Sequence, residues 1–147
     1  MTWRRCFSNF SPYERTVVLW VDGFHLEAAL TPEHYFQAHK ALDRCSARMV
    51  LTARTPGQAK RIARQAPLRP DWQQIRIDVM RAAIREKFVP GTEAYRELME
   101  HEGPIVEHNT WHDNFWGDCR CPRCRGNRGE NMLGRLLMAL RAELRQS

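Results

Sequence analysis

Glu33, Gln37 and Lys40 lie at i, i+4 and i+7 of the segment TPEHYFQAHKA, residues 31–41. On a helix that spacing gathers a carboxylate, an amide and an amine on one face. By itself such a face is a solvated Glu–Lys pairing. Two features set it apart: Glu33 sits in the first turn, where the helix dipole stabilises its anion, and the flanking Tyr35 and Phe36 demand burial. A second acid, Asp113, stands in HDNFWG (112–117) beside Phe115 and Trp116, with Gly117 freeing the backbone after them. It reads either as a turn aspartate next to core aromatics or as a carboxylate held against an aromatic wall, which suits a flat base or a sugar ring. In FSNF (7–10), Asn9 stands between two phenylalanines, Phe7 and Phe10. The segment is either a loop pinned by its aromatics or a site where Asn9 offers a donor and an acceptor to a ribose or base edge.

Three of the five cysteines, Cys119, Cys121 and Cys124, crowd into CRCPRC. An odd count in a chain with this much core argues against a disulfide framework and for a metal. Cys-Pro-Arg-Cys has the tight spacing of a zinc knuckle, and three thiolates need a fourth ligand. Cys6, Cys45, His108 and His112 are all available for it. Cysteine-rich ligation points to structural zinc, since a catalytic ion needs an open position and a nearby base. Free thiols or a redox role are the alternatives; no redox cofactor is expected.

These residues must be positioned by local structure, and the chain punctuates itself clearly. Thr31 and Pro32 open the helix of 31–41, and Thr55-Pro56 opens another over 56–65. In PDWQQIRIDVMRAAIREKF, Asp71 with Gln74 three residues on resembles a capping box, and Trp72, Ile75, Val79, Ala83 and Phe88 predict the buried side. TEAYRELMEH predicts a helix stopped by Gly103-Pro104. NMLGRLLMALRAELR carries Leu133, Leu136, Leu137, Leu140 and Leu144 as a core stripe. TVVLWV, Asp22-Gly23 and FHLEAA read as a β-hairpin, 105–108 as a short strand, and 3–15 as a loop. The fold expected is mainly α with a small β element (α+β), one domain over 1–147 with a cysteine-bearing loop at 118–130. Its 147 residues are 43% apolar, enough for a real core. No apolar run reaches the roughly 18 residues of a membrane span, so no membrane partner is expected. The basic opening MTWRRCFSNFSP has no apolar stretch behind it to make a signal peptide, and a cytoplasmic location is expected. Lys and Arg total 23 against 17 Asp and Glu, a net charge of +6 that favours a phosphate-bearing partner, nucleotide or nucleic acid, over a merely soluble basic surface.

Taken together, FSNFSP, TPEHYFQAHKA, AKRIAR, LRPDWQQIRIDVMRAAIREKF, DNFWG and GENMLGRLLMALR resemble the NADAR (YbiA-like) family in order and spacing, from residue 7 to residue 141. The resemblance implies a compact, mainly helical single-domain fold and an N-glycosidase acting on a ribosyl group attached to nitrogen. Glu33 matches the family's glutamate before histidine, Lys40 its FQ-x-x-K lysine, Trp72 the DW tryptophan and Asn9 the FSNF asparagine. Asp113, Trp116 and Gly117 match D-x-x-W-G, and Asn131 and Gly134 match N-x-L-G. Two substrate classes are implied. One is ADP-ribose on guanine in nucleic acid, in functional pairing with an ADP-ribosyltransferase; the other is a phosphoribosylamino-pyrimidine intermediate of riboflavin synthesis. DCRCPRCRGNRGE departs from the simplest family pattern, where it would alter substrate size or brace a loop.

Cleaving a ribosyl C–N bond passes through an oxocarbenium-like state that needs negative charge near the anomeric carbon and an acid or oriented water at the leaving nitrogen. Glu33 and Asp113 are the candidate carboxylates, expected to converge on one cleft, with their roles left open. Lys40, its pKa lowered by burial, is a third catalytic candidate that would attack C1 as a Schiff-base amine, or it holds a phosphate or orients Glu33. Asn9, Phe10, Gln37, Trp72, Trp116, Gly117 and Asn131 are the candidate substrate-binding residues, and Arg61, Arg64 and Arg69 are candidate phosphate partners by charge. The guanine substrate is preferred for its match to the basic charge and arginine-rich helices. A non-catalytic module that binds ADP-ribose or nucleic acid is the competing class, as is a zinc-dependent nucleic-acid-binding protein without a nucleotide pocket.

Overall fold

The computed structural model describes residues 3–21 and 24–147, which fall into two compact units: residues up to Phe7 together with Arg96–Ser147, and Ser8–Tyr95. In the Ser8–Tyr95 unit, β1 (Val17–Val21) pairs antiparallel with β2 (Phe24–Ala29), Val17 opposite Ala29, with an irregularity between Val18 and Trp20. Asp22 and Gly23, read from sequence as the turn, lie outside the described residues. Four helices follow: α1 (Pro32–Lys40), α2 (Arg44–Leu51), α3 (Pro56–Gln65) and α4 (Trp72–Lys87). Val17, Leu19, Ala38, Ala47, Val50, Leu51, Ala59 and Ala63 are buried together, so the inner face of β1 and the small residues of three helices make one core.

Helix starts follow the capping chemistry. The Thr31 hydroxyl accepts from His34 N at 3.1 Å with Pro32 opening α1, and the Thr55 hydroxyl accepts from Gln58 N at 3.1 Å. α2 is absent from the sequence reading. Asp43 caps it through Ser46 N at 2.7 Å, but its apolar residues are only Ala47, Val50 and Leu51 at the buried spacing, too few to stand out in a polar stretch. The α4 cap differs too. Asp71 makes no side-chain cap bond; its two oxygens take Arg69 Nε at 2.7 Å and Nη2 at 3.1 Å. The bidentate guanidinium outcompetes a backbone N–H for that carboxylate. The face that α4 buries is also rotated from expectation: Trp72, Met80, Ala83, Ile84 and Lys87 are buried, whereas Ile75 and Val79 are half-buried.

α5 (Glu93–Glu100) is capped at its start by the Glu14 carboxylate, which accepts from Glu93 N at 2.8 Å and Ala94 N at 2.9 Å. The other unit holds a single 3-10 turn (Arg5–Phe7), β3 (His108–Asn109), β4 (Asp118–Cys119) and α6 (Met132–Arg145). β3 and β4 are parallel, His108 opposite Asp118 and Asn109 opposite Cys119; the strand read over 105–108 thus starts only at its last residue. α6 buries Leu133, Leu136, Leu137 and Leu140, with Leu144 half-buried near its end. Among the described residues no helix is long and apolar enough to cross a membrane.

Candidate active site and cysteine cluster

In α1 the expected face is turned inward. Glu33 is 7% exposed and Gln37 4%, and Gln37 Nε2 donates to Glu33 Oε1 at 2.8 Å. Among the described residues, Gln37 Oε1 has no hydrogen-bond partner. Lys40 is half-buried one turn on. Burial pushes its amine below the ordinary lysine range, Arg64 and Lys60 act in the same direction, and Glu33 opposes them. Lys40, Lys60 and Arg64 therefore repel one another, with the Glu33 carboxylate in opposition.

The FSNF loop is fastened to this face. The Asn9 carbonyl accepts from Glu33 N at 3.1 Å, satisfying an orphan donor of the first turn, and Asn9 Nδ2 reaches Met80 Sδ at 3.2 Å. Phe10 is 48% exposed, which leaves its ring free to meet a ligand. Lys87, buried at the end of α4, donates to the Ser8 carbonyl at 2.8 Å and to the Ser11 hydroxyl. Sequence reading overlooked it, although a lysine three residues after Ile84 on the apolar face was the available signal. Trp72 is buried edge-to-face on Phe36, ring centroids 4.9 Å apart, so its first task is to seat α1 on α4.

In the other unit, Asp113 Oδ1 accepts from Phe115 N at 3.1 Å and Trp116 N at 2.9 Å, so the carboxylate fixes the turn that carries the half-buried Trp116. This turn then caps α6. The N–H groups of Glu130, Asn131, Met132 and Leu133 donate to the carbonyls of Asn114, Gly117, Phe115 and Trp116. Asn131 adopts the left-handed conformation at φ 51°, which asparagine tolerates, and its side chain accepts from Glu107 N at 2.9 Å and donates to the Ile105 carbonyl at 2.9 Å. Gly117 is required by packing: a Cβ there would collide with the Glu107 carbonyl and lie 2.8 Å from Asn109 Nδ2.

Beside this turn, the parallel β3–β4 pair brings residues 108–112 alongside 118–124. His112, Cys119, Cys121 and Cys124 place one ligand atom each within 4.8 Å of one another, a set that could hold a metal ion. His112 Nδ1 lies 3.1 Å from Cys121 Sγ and 3.6 Å from Cys124 Sγ, and its backbone sits at φ 68°, a conformation uncommon for histidine that aims the ring at the sulfurs. N–H donors point at the sulfurs as they do at thiolates: His112 N to Cys119 at 3.3 Å, Cys121 N to Cys119 at 3.5 Å and Asn114 Nδ2 to Cys124 at 3.2 Å. Of the four alternatives for the fourth position, His112 is the one that lies with the three cysteines among the described residues.

The NADAR domain matches residues 2–145. The chain belongs to the NADAR family. It is 32% identical over 148 residues to an N-glycosidase of Nostoc punctiforme, covering 95% of this chain and 85% of that protein. It is 38% identical over 142 residues to the N-glycosidase YbiA of Escherichia coli, covering 94% and 80% respectively. The riboflavin biosynthesis protein PYRR of Zea mays is 35% identical over 150 residues; 94% of this chain is covered but only 23% of the maize protein. Among solved structures, that of Escherichia coli YbiA superposes with a TM-score of 0.71 at 36% identity, over 96% of this chain and 78% of the other. The mainly helical α+β architecture follows from both structures. As a NADAR chain, this one divides its family motifs between the two units. FSNF, EH, FQ-x-x-K and DW meet around α1 and α4. D-x-x-W-G and N-x-L-G meet at the start of α6.

Proposed function

We propose that this chain is an N-glycosidase that hydrolyses a ribosyl–nitrogen bond, with ADP-ribosylated guanine of nucleic acid as substrate. It would then reverse the product of an ADP-ribosyltransferase acting on guanine. The observation that carries the proposal is the buried Glu33 carboxylate, oriented by Gln37 and followed two turns later by the half-buried Lys40. A carboxylate withdrawn from water acts strongly on a positive charge developing at the anomeric carbon. Family membership and the N-glycosidase names of its relatives support the reaction class. The mutual repulsion of Lys40, Lys60 and Arg64, which an anion would relieve, supports a diphosphate-bearing sugar.

Two routes share these residues. In one, Glu33 takes a proton from water as the C–N bond breaks; the hydroxide adds to C1 and the base leaves with a proton. In the other, the neutral Lys40 amine displaces the base at C1, the ring opens to an imine, and water then restores the lysine and frees the sugar. In the other unit, one oxygen of Asp113 orders the turn that carries Trp116. Phe10 and Trp72 are the proposed aromatic contacts for the base beside α1, with Asn9 shaping the adjoining backbone. The riboflavin intermediate is the second substrate reading, favoured by the maize relative's name. A pure binding module has no use for an oriented, buried carboxylate.

The same proposal gives the cysteine cluster a structural zinc held by Cys119, Cys121, Cys124 and His112. Three soft sulfurs and an imidazole suit zinc, and four protein ligands close the shell against water. Mass spectrometry of both substrates after incubation tests the main reading. The wild type is expected to release ADP-ribose from modified guanosine, and Glu33→Gln to be slower by about 10²-fold or more while still folded. Equal rates for Glu33→Gln, or no cleavage of either substrate, would overturn it.

A further inference from the structure

The stretch after β4 places arginine at 120, 123, 125 and 128. Arg120, Arg125 and Arg128 line an open cleft of about 530 Å³ together with Asp118 and Asn127. Asp118 offsets only part of the charge of this cleft. Its carboxylate accepts from Gly129 N at 2.8 Å and meets Arg120 Nε at 3.3 Å and His108 Nδ1 at 3.4 Å. Arg120 is accounted for by these contacts. Arg125 and Arg128 are exposed and, among the described residues, make no hydrogen bond or ion pair, although Asp118, held low first by its Gly129 hydrogen bond and then by Arg120 and His108, also feels the charge of Arg128. Two exposed guanidiniums thus face a concavity too open and too polar for an apolar ligand. Guanidinium forks match phosphate oxygens.

A second feature adjoins the cleft. Trp111 is 61% exposed, and its backbone N–H is fixed by Asn109 Oδ1 at 3.2 Å. The next residue, His112, has its ring 3.6 Å from the sulfur of Cys124, which is part of the cleft wall. An exposed indole one residue from a ring that reaches the cleft wall would combine a stacking platform with phosphate contacts. That combination recognises unpaired nucleotides, whose bases are free to stack. A duplex would satisfy the arginines but leave the indole bare.

We propose that this face binds single-stranded nucleic acid, successive phosphates on Arg125 and Arg128 and one base on Trp111. Its use, presentation of a modified guanine to the glycosidase, rests on the proposed function; the binding does not, because it is measured on unmodified strands. Fluorescence anisotropy with a labelled, unmodified single-stranded oligonucleotide over a series of salt concentrations is the test. Wild type is expected to bind, with log affinity falling linearly against log salt. Arg125→Ala/Arg128→Ala is expected to flatten that slope by about 1.4, about 0.7 per lost phosphate contact, and to leave cleavage of the small modified nucleoside unchanged. Trp111→Ala is expected to weaken binding by about tenfold with the slope unchanged. All three positions are exposed, and thermal melts confirm that the variants fold. A slope unchanged in the double arginine variant would overturn the proposal, as would tighter binding of duplex than of single strand. Displacement of the oligonucleotide by free ADP-ribose would also overturn it, by marking the cleft as a nucleotide subsite. Loss of nucleoside cleavage with strand binding intact would sink the enzyme reading alone.

Discussion

Gln37 Nε2 lies 2.8 Å from Glu33 Oε1, both side chains are buried, and among the described residues the other end of the Gln37 amide has no partner. A buried acceptor without a donor costs about 1–3 kcal/mol. In the proposed site a ligand hydroxyl supplies the missing donor. Gln37→Leu removes this orphan acceptor but strips the buried Glu33 Oε1 of a donor, so the two effects should oppose and the melting temperature should change little, while kcat/KM falls by about 10-fold or more. Melting curves and steady-state kinetics on the same sample check this. A variant that melts lower and loses no activity would make the pair purely structural.

Lys40 separates the two chemical routes by its pH dependence. Its pKa is lowered from 10.5, first by burial and then by Arg64. An attacking amine must be neutral, so its reactive fraction grows as pH rises through that depressed pKa. If Lys40 is the nucleophile, kcat/KM should rise along an alkaline limb below 10.5, Lys40→Arg should be inactive, and borohydride should trap a sugar adduct on the chain. If it holds phosphate as a cation, the same limb should fall and Lys40→Arg should retain most activity. A pH–rate profile with the trapping experiment tells the two apart.

How much of this was written in the sequence depends on how local the cause is. The α1 face was legible because a Thr-Pro start and helical spacing together fix which side chains share a face, and Tyr35 and Phe36 gave the direction of the core. The leucine stripe of α6 was legible for the same reason. α2 was not, because it is only eight residues long and buries only three of them, too short a stretch for its periodicity to stand out. Asp71 was misassigned because Arg69, two residues earlier, competes for its oxygens. The choice of His112 over Cys6, Cys45 or His108 needed the parallel β3–β4 pairing and a left-handed backbone, neither of which spacing alone reveals. Lys87 was passed over because a lysine among apolar residues reads as a surface interruption until its two acceptors at Ser8 and Ser11 are seen.

His34 makes the Ser8–Tyr95 unit sensitive to mild acid. Its ring is fully buried; a carbonyl can only accept, so Nε2 carries the proton toward Ala53 O at 3.0 Å and Nδ1 accepts from the Thr31 hydroxyl at 2.8 Å. Burial lowers its pKa from 6.5, against the opposing pull of the Ala53 carbonyl, and His39 is lowered chiefly by burial as well. Below 6.5 the unfolded chain gains protons that the folded chain refuses, so stability should fall with pH from there until the folded pKa values are passed, and then level off. Urea midpoints measured at about pH 7.5 and about pH 5.5 should show the drop, and a His34→Gln variant should show a smaller one. Equal midpoints in the wild type at both pH values would contradict the assignment.

The cysteine cluster makes its own prediction, because a closed structural ion and an open catalytic one respond differently to exchange. With three thiolates and His112 Nδ1 filling every position, no site remains for water, so the identity of the metal should matter little to hydrolysis. Zinc is expected at one per chain, and cobalt substitution should give the d–d and thiolate charge-transfer bands of a tetrahedral sulfur-rich site with kcat held within about twofold. Removing the ion should leave thiolates that repel one another and loosen the turn from 112 to 124. Because Asn114 donates to Cys124 and Cys119 N donates to Asn114 Oδ1 at 2.9 Å, that loosening should reach the carbonyls that cap α6. A chelator should therefore lower the melting temperature and speed proteolysis near residues 118–130, and Cys121→Ser should do the same without a chelator. A protein that holds no metal after purification in zinc, or one whose Cys121→Ser variant keeps the full complement and the same cobalt spectrum, would refute tetrahedral coordination by these four side chains.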